Sequence, residues 1–302
     1  MNAPGPISEA ARRRAIVLLA LLTLVWGTNW PLFPVVMAET SVWTFRAVSM
    51  TGAALLLVVV ARLRGQSLVL PRRHWLPVLG GAVVYLSVWN IGSALAAVLI
   101  PSGQAAVLGF TMPVWAALIG WLVLGERLGA RQWLAVVLAA CGVLLLTWRS
   151  LDAYRQAPLG VALGLLAAVG WAGGTMIIKR SGVAVSATVL SGWQLLVASV
   201  PITGCALVLG DGHWQAPSPA VLLAIVYITV VPMGLGNVVW FSIVGLLPAH
   251  VAGLSTILVP VVAMVSGALV HGEPLGPVQL AAMACCGAAL ALALLFPQPA
   301  RP

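Results

Sequence analysis

Charge is what this sequence has least of. Only 7% of its 302 residues are Asp, Glu, Lys or Arg, where a soluble domain carries about 25% to solvate its surface. That shortage excludes a fold whose main solvent is water. The six acidic residues, Glu9, Glu39, Glu126, Asp152, Asp211 and Glu273, all fall in termini, loops or the ends of apolar runs. No carboxylate therefore stands near a bilayer midplane, where proton-driven pumps and exporters of cationic compounds keep a relay or counter-ion. His250 titrates near neutrality when unperturbed, but its place beside Pro248 at the end of an apolar run reads as an interface residue. Lysine occurs once, at Lys179, with no G-x-x-x-x-G-K-[ST] loop around it, so no ATP site is expected. No H-E-x-x-H pattern or paired cysteine spacing offers a metal site. The four cysteines, Cys141, Cys205, Cys285 and Cys286, lie inside apolar runs and not in loops that a disulfide would staple. The net charge of +9 comes from short basic clusters between apolar runs, with no continuous basic face, which argues against nucleic acid. No cofactor and no enzymatic chemistry is expected.

What the chain has in abundance is apolar sequence, at 62% of residues. A stretch of about 20 such residues, rising about 1.5 Å each, crosses a hydrocarbon core about 30 Å thick. Runs bounded by polar residues, Gly or Pro predict helices near 14–36, 42–61, 74–94, 101–124 and 131–148, then near 158–178, 187–209, 219–242, 249–270 and 277–296. The expectation is an all-α integral membrane protein of ten transmembrane helices. The run after Arg12, Arg13 and Arg14 is followed by Trp26, Gly27, Thr28, Asn29 and Trp30 and not by a small-x-small cleavage site, so the first helix is expected to be retained. With the amino terminus inside, twelve basic residues fall on the cytoplasmic side and only Arg149 and Arg155 on the other. That asymmetry places both termini in the cytoplasm, in a cell inner (plasma) membrane.

Sliding the sequence along itself by 147 residues aligns residues 99–135 with 246–282 at about 15 of 37 identical positions. The identities include Pro101 with Pro248, Pro113 with Pro260 and Gly125-Glu126 with Gly272-Glu273, and Asn90 meets Asn237 at the same shift. Residues 1–150 and 151–302 are thus read as two copies of five helices. Five is odd, so the second copy enters the membrane from the opposite side, which makes the repeat inverted.

Trp26-Gly27-Thr28-Asn29 in the first helix, Phe45-Arg46 early in the second and Leu124-Gly125-Glu126-Arg127-Leu128 after a Pro-containing helix resemble the drug/metabolite transporter superfamily, in particular its ten-helix EamA-like exporters. The Trp-rich character is similar to the YddG type of aromatic amino-acid exporter. The resemblance implies a basket of helices around a central cavity, lined by helices one, three, four, six, eight and nine. It departs where the second copy has Trp171-Ala172-Gly173-Gly174 in place of Trp26-Gly27-Thr28-Asn29, and His271-Gly272-Glu273-Pro274 in the last loop. The two halves are therefore not expected to contribute equally.

Candidate site residues follow from the cost of polar groups in hydrocarbon. Asn90 and Asn237 read either as an interhelical hydrogen bond, worth about 0.6 kcal/mol, or as amides that hold a polar part of a solute. Tyr85, Trp89 and Ser93 share a helix face. Trp26 and Trp171 occupy similar depths and would suit stacking on a planar or apolar group. Trp240 and Phe241 fit an interface belt or a cavity equally. Pro113 and Pro260 each remove a backbone donor, and corresponding breaks in two halves point to a transport site. Arg46 is the one basic residue inside a span, placed near the outer interface where snorkelling is easy. Together with Asn29, these residues predict a small neutral or zwitterionic solute within the lipid bilayer, carried without ATP. Nucleotide sugars would call for several cavity cations, and a lipid translocase for a lateral groove.

Overall fold

The computed structural model describes residues 9–100, 102–109, 111–123, 125, 128–148, 151–210, 216–247, 252, 255–272 and 275–295. Among them the secondary structure is entirely helical. Pro101, Glu126, Pro248, His250 and Glu273 lie outside the described residues.

The first span is interrupted. Helix α1 (Glu9–Gly27) ends in a turn over residues 28–31, and α2 (Leu32–Met37) continues beyond it. Pro31 and Pro34 lack the N–H groups that would bond back to residues 27 and 30, so the α ladder cannot run through. Shorter i+3 bonds, Trp30 N to Gly27 O and Phe33 N to Trp30 O, replace it. Helix α3 (Val42–Leu63) starts at Ser41, whose hydroxyl accepts from Thr44 N. The third span joins a 3₁₀ turn and α4 (Trp75–Ala82) to a π-helical segment at Val83–Ser87 and then to α5 (Val88–Leu99). The short helices α6 (Ser102–Gly109) and α7 (Met112–Leu122) follow, then α8 (Ala130–Trp148) and α9 (Leu151–Gln156).

The second half runs through α10 (Pro158–Ser181) and α11 (Ala187–Leu209), the latter capped by Ser186 in the same way as α3 by Ser41. Helix α12 (Pro219–Ile228) passes into a second π-helical segment at Thr229–Leu235 and on into α13 (Gly236–Leu246). A 3₁₀ turn over Ser255–Leu258 leads into α14 (Val259–His271), and α15 (Pro277–Leu295) completes the order. The π segments fall at matching places under the 147-residue shift, and so do Gly125 and Gly272, with φ of 66° and 67°.

Seven helical stretches are long and apolar enough to cross a membrane, and three shorter apolar helices accompany them at Val107–Leu122, Thr256–His271 and Pro277–Ala289. Their outward faces carry bare aliphatic side chains, such as Leu63 and Leu269, each 82% exposed, as a lipid-facing surface requires. Trp75, Trp121 and Trp148 are exposed near span ends, where indole suits the headgroup region. Inside, α1 packs on α13 and α14, while α10 packs on α5 and α7; α3 pairs with α11, and α8 with α15. Glycine permits the tightest crossing. A Cβ on Gly174 of α10 would overlap the backbone nitrogen of Tyr85 and stand 2.6 Å from its Cα, so the π segment of the third span lies directly on α10.

Pro113 and Pro260 differ from expectation. Each stands at the start of a helix, α7 and α14, where a missing N–H leaves nothing unsatisfied. The interruption in the fourth span precedes Pro113 around Thr111, whose hydroxyl donates to Leu108 O and accepts from Trp115 Nε1. The prolines begin the second segment after a break and do not kink a continuous helix.

Candidate functional site

Two adjoining cavities lie between the halves. The larger, about 400 Å³, is lined by the far ends of the first three spans and by α14, and reaches His271 and Leu275 at the bundle end opposite the amino terminus. The smaller, about 90 Å³, lies deeper, among Trp26, Asn29, Tyr85, Trp89, Asn90, Trp171 and Asn237. Trp30, Phe33, Arg46 and Trp89 line both and form the boundary between them. Seven of the nine residues singled out from sequence thus gather on the deeper cavity. Pro260 lines the larger one, and Pro113 is buried beside neither.

Below the deeper cavity the interior is closed by rings. Trp171 sits 4.4 Å from Trp240 and 6.4 Å from Trp26, centroid to centroid, and Tyr85 sits 5.7 Å from Trp171 and 5.5 Å from Phe241. Trp240 is fully buried and Phe241 nearly so, which takes both out of any interface belt. Trp26 Nε1 donates to the carbonyl of Pro232, inside the second π segment, at 3.1 Å. Gly236 makes room for that indole: a Cβ there would overlap Nε1 and lie 2.9 Å from Cδ1. A π turn disturbs the regular i+4 ladder, so a carbonyl within it is open to such a side-chain donor.

The two asparagines are used differently. Asn237 accepts from the Tyr85 hydroxyl at 3.2 Å and donates to Met233 O at 2.8 Å. Asn90 accepts from Arg46 Nη1 and donates to Leu86 O at 2.8 Å. Each therefore makes an interhelical hydrogen bond and also lines the deeper cavity.

Arg46 does not snorkel outward. Its guanidinium turns into the bundle, where Nη2 donates to Ser93 Oγ at 3.2 Å and the Phe33 ring centroid lies 6.0 Å from Cζ. Asn90, fully buried on the third span, supplies the acceptor that draws the head group inward. No described carboxylate pairs with it: Glu39 is committed to Ser218. Position near a helix end suggested snorkelling, but only the face of α3, set by Phe45 and Ala47 packing inward, decides where the side chain goes.

Asn29 sits in the turn that interrupts the first span, and its Oδ1 is buried without a hydrogen-bond partner. Thr28 beside it donates to Leu24 O at 2.7 Å and shares a 2.8 Å hydrogen bond with the Tyr227 hydroxyl. His271 Nε2 lies 2.7 Å from the Pro31 carbonyl and ties the end of α14 to the same turn. No group of three or more metal-ligating side chains occurs among the described residues.

A broken membrane-buried helix, paired π segments and a cavity between packed halves form a transport-type interior. The EamA-like transporter family model matches residues 13–148 and again residues 158–295. The chain belongs to the EamA-like transporter family. It is 27% identical to the uncharacterized transporter YvbV of Bacillus subtilis over 89% of this chain and 88% of that one. Against the uncharacterized protein PA1977 of Pseudomonas aeruginosa the figures are 31%, 88% and 89%. A probable amino-acid metabolite efflux pump of Escherichia coli is 28% identical over 60% of this chain and 63% of its own. A solved crystal structure superposes with a TM-score of 0.76 at 20% identity, covering 94% of this chain and 98% of that one, and so shares the fold. As an EamA-like protein this chain is a multi-pass membrane transporter.

Proposed function

We propose that this EamA-like protein exports amino acids, aromatic and other neutral ones, or closely related metabolites, by alternating access and without ATP, in the manner of YddG-type exporters. The observation that carries the reading is the cavity itself: aromatic rings and three amides, drawn from both halves, surround a space holding a single cationic head group. A zwitterion with an apolar side chain matches that lining. Nucleotide sugars and sugar phosphates, with two or more negative charges, would meet one guanidinium where several cations are needed. The name of the Escherichia coli relative, an amino-acid metabolite efflux pump, supports the same class.

The mechanism rests on residues 1–150 and 151–302 acting as two inverted five-helix repeats, ten spans in all. Matching π segments, matching Ser caps and the paired packing of α1 on α13 with α10 on α5 support this symmetry. With both termini cytoplasmic, the larger cavity faces outward, and the layer of Trp26, Tyr85, Trp171, Trp240 and Phe241 closes the cytoplasmic side. Rocking of one half against the other around the asparagines would exchange the two openings. With no carboxylate at mid-membrane, transport follows the solute gradient.

The test is uptake of labelled phenylalanine, tryptophan, threonine and methionine into proteoliposomes, with and without a pH gradient. Saturable flux of at least one, indifferent to the pH gradient, is expected; no flux of any sinks the proposal.

A further inference from the structure

We infer that the deeper cavity holds both charged ends of an α-amino acid, the carboxylate on Arg46 and the ammonium on Asn29. The inference rests on the amino-acid reading above and adds to it which atoms recognise the solute.

A guanidinium carries five N–H donors. Two hydrogen bonds of Arg46 go to Asn90 Oδ1 and Ser93 Oγ, both neutral, and its Nε has no partner at all. A cation kept within a membrane is normally paired with a carboxylate or capped by backbone carbonyls. Here the described residues give it neither, yet the head group borders both cavities. An arginine serving only to hold helices together would have its charge answered by the protein. This one is held in place by neutral acceptors and left to meet an anion from outside. A carboxylate suits it, because charge-assisted bonds to guanidinium are short, directional and about twice as strong as neutral ones.

The opposite need belongs to another residue that lines the same cavity. Asn29 Oδ1 is a buried acceptor without a donor. It sits just past the carboxyl end of α1, nineteen residues long, whose last carbonyls concentrate partial negative charge. An ammonium group there would satisfy the amide oxygen and lie in a favourable field. The residues that carry an unanswered donor and an unanswered acceptor both line a space of about 90 Å³, a pairing that matches a zwitterion's backbone. The solute's side chain is left to Phe33, Trp89 and Met112.

The test is counterflow of labelled phenylalanine in proteoliposomes of the full chain, with unlabelled competitors. Phenethylamine and phenylalaninamide, which lack the carboxylate, should compete about 10- to 100-fold more weakly than phenylalanine. 3-Phenylpropionate, which lacks the ammonium, should be weaker by about tenfold. Arg46→Gln should bring phenylalanine and phenethylamine to near equality, and Arg46→Lys should keep their order at lower affinity. Asn29→Ala should remove the preference for phenylalanine over 3-phenylpropionate and leave phenethylamine weak. Amines that compete with wild type as well as phenylalanine does would overturn the assignment without any variant, and so would an Arg46→Gln protein that keeps the wild-type order. In either case counterflow itself persists, and only the subsite falls. Absence of amino-acid counterflow in wild type removes the functional proposal and this inference together.

Discussion

Removing the Tyr85 hydroxyl should shift the balance between the two faces of the transporter. That hydroxyl donates to Asn237 Oδ1 at 3.2 Å, and the bond joins the first half of the chain to the second. Phenylalanine at position 85 keeps the ring against Trp171 and Phe241, so Tyr85→Phe isolates the bond. In a soluble interior, an orphaned acceptor costs about 1–3 kcal/mol. Within a bilayer the measured scale is smaller, about 0.6 kcal/mol on average and about 1.7 at most, because the alternative states also find partners. The smaller scale applies at this depth. If the bond exists only while the cytoplasmic side is closed, its loss shifts the equilibrium about 3- to 18-fold towards the opposite state. The assay places a reporter cysteine at Ala97, on the wall of the larger cavity, in a background without the four native cysteines. Labelling by a membrane-impermeant maleimide from outside then reports occupancy of the outward-facing state. Tyr85→Phe should label more slowly, in proportion to the lost occupancy. Unchanged labelling together with a raised KM would refute the reasoning and assign the hydroxyl to the solute; unchanged labelling and unchanged transport would leave the bond without a role.

Three other perturbations follow from the same geometry. Gly174→Ala forces a methyl onto the Tyr85 backbone and should cost about 1–3 kcal/mol, whereas neighbouring Gly173→Ala meets only Val84 Cγ1 at 3.7 Å and should be neutral or stabilising in a thermal melt; equal melting points would contradict the packing. Asn90→Asp gives Arg46 the counter-ion it lacks, so the protein should melt no lower than wild type while phenylalanine exchange drops at least about tenfold; undiminished exchange would show that the guanidinium is not needed free. Outside the spans, the Ser218 backbone N–H, at 2.6 Å, and then its hydroxyl hold the Glu39 carboxyl below the usual glutamate range. A depressed value means that the contribution is present above the unfolded value and lost as pH falls through the folded one. Wild type should therefore melt above Glu39→Gln at pH 7 and converge with it in acid, and a constant gap across that window would exclude the tether.

Helical, membrane-spanning character was legible because hydropathy and scarcity of charge are properties of whole segments. Trp26, Asn29, Tyr85, Trp89, Asn90, Trp171 and Asn237 could be picked out because polar or aromatic side chains amid aliphatic ones stand out without reference to a fold. What escaped depended on direction. Arg46 reads as an interface residue by depth, and only the packing of Phe45 and Ala47 turns it inward. Trp240 and Phe241 sit near a span end yet face the interior, a distinction that the exposed Trp75 and Trp148 make visible only in three dimensions. Pro113 and Pro260 do mark interruptions, but a proline starting a helix and one bending it look alike in a sequence. The π segments had no signal of their own beyond Pro232, since a wide turn is fixed by what packs against it, here Trp26 and Gly174.

Those wide turns also act as phase shifters. An α-helix advances about 100° per residue, so a turn that takes up one extra residue sets everything beyond it back by about that angle from where an unbroken α count would place it. Asn90 and Asn237 each come shortly after such a turn, and their azimuth is set there and not by the anchored starts of their helices. Closing either wide turn, at 83–87 or 229–235, into a regular α turn of the same residue count would leave length and hydropathy unchanged while swinging the corresponding amide more than a quarter-turn out of the cavity. The same geometry means that a bulge sliding along its helix re-aims only the residues it passes over and shifts neither membrane boundary, a local rotary adjustment open to both halves.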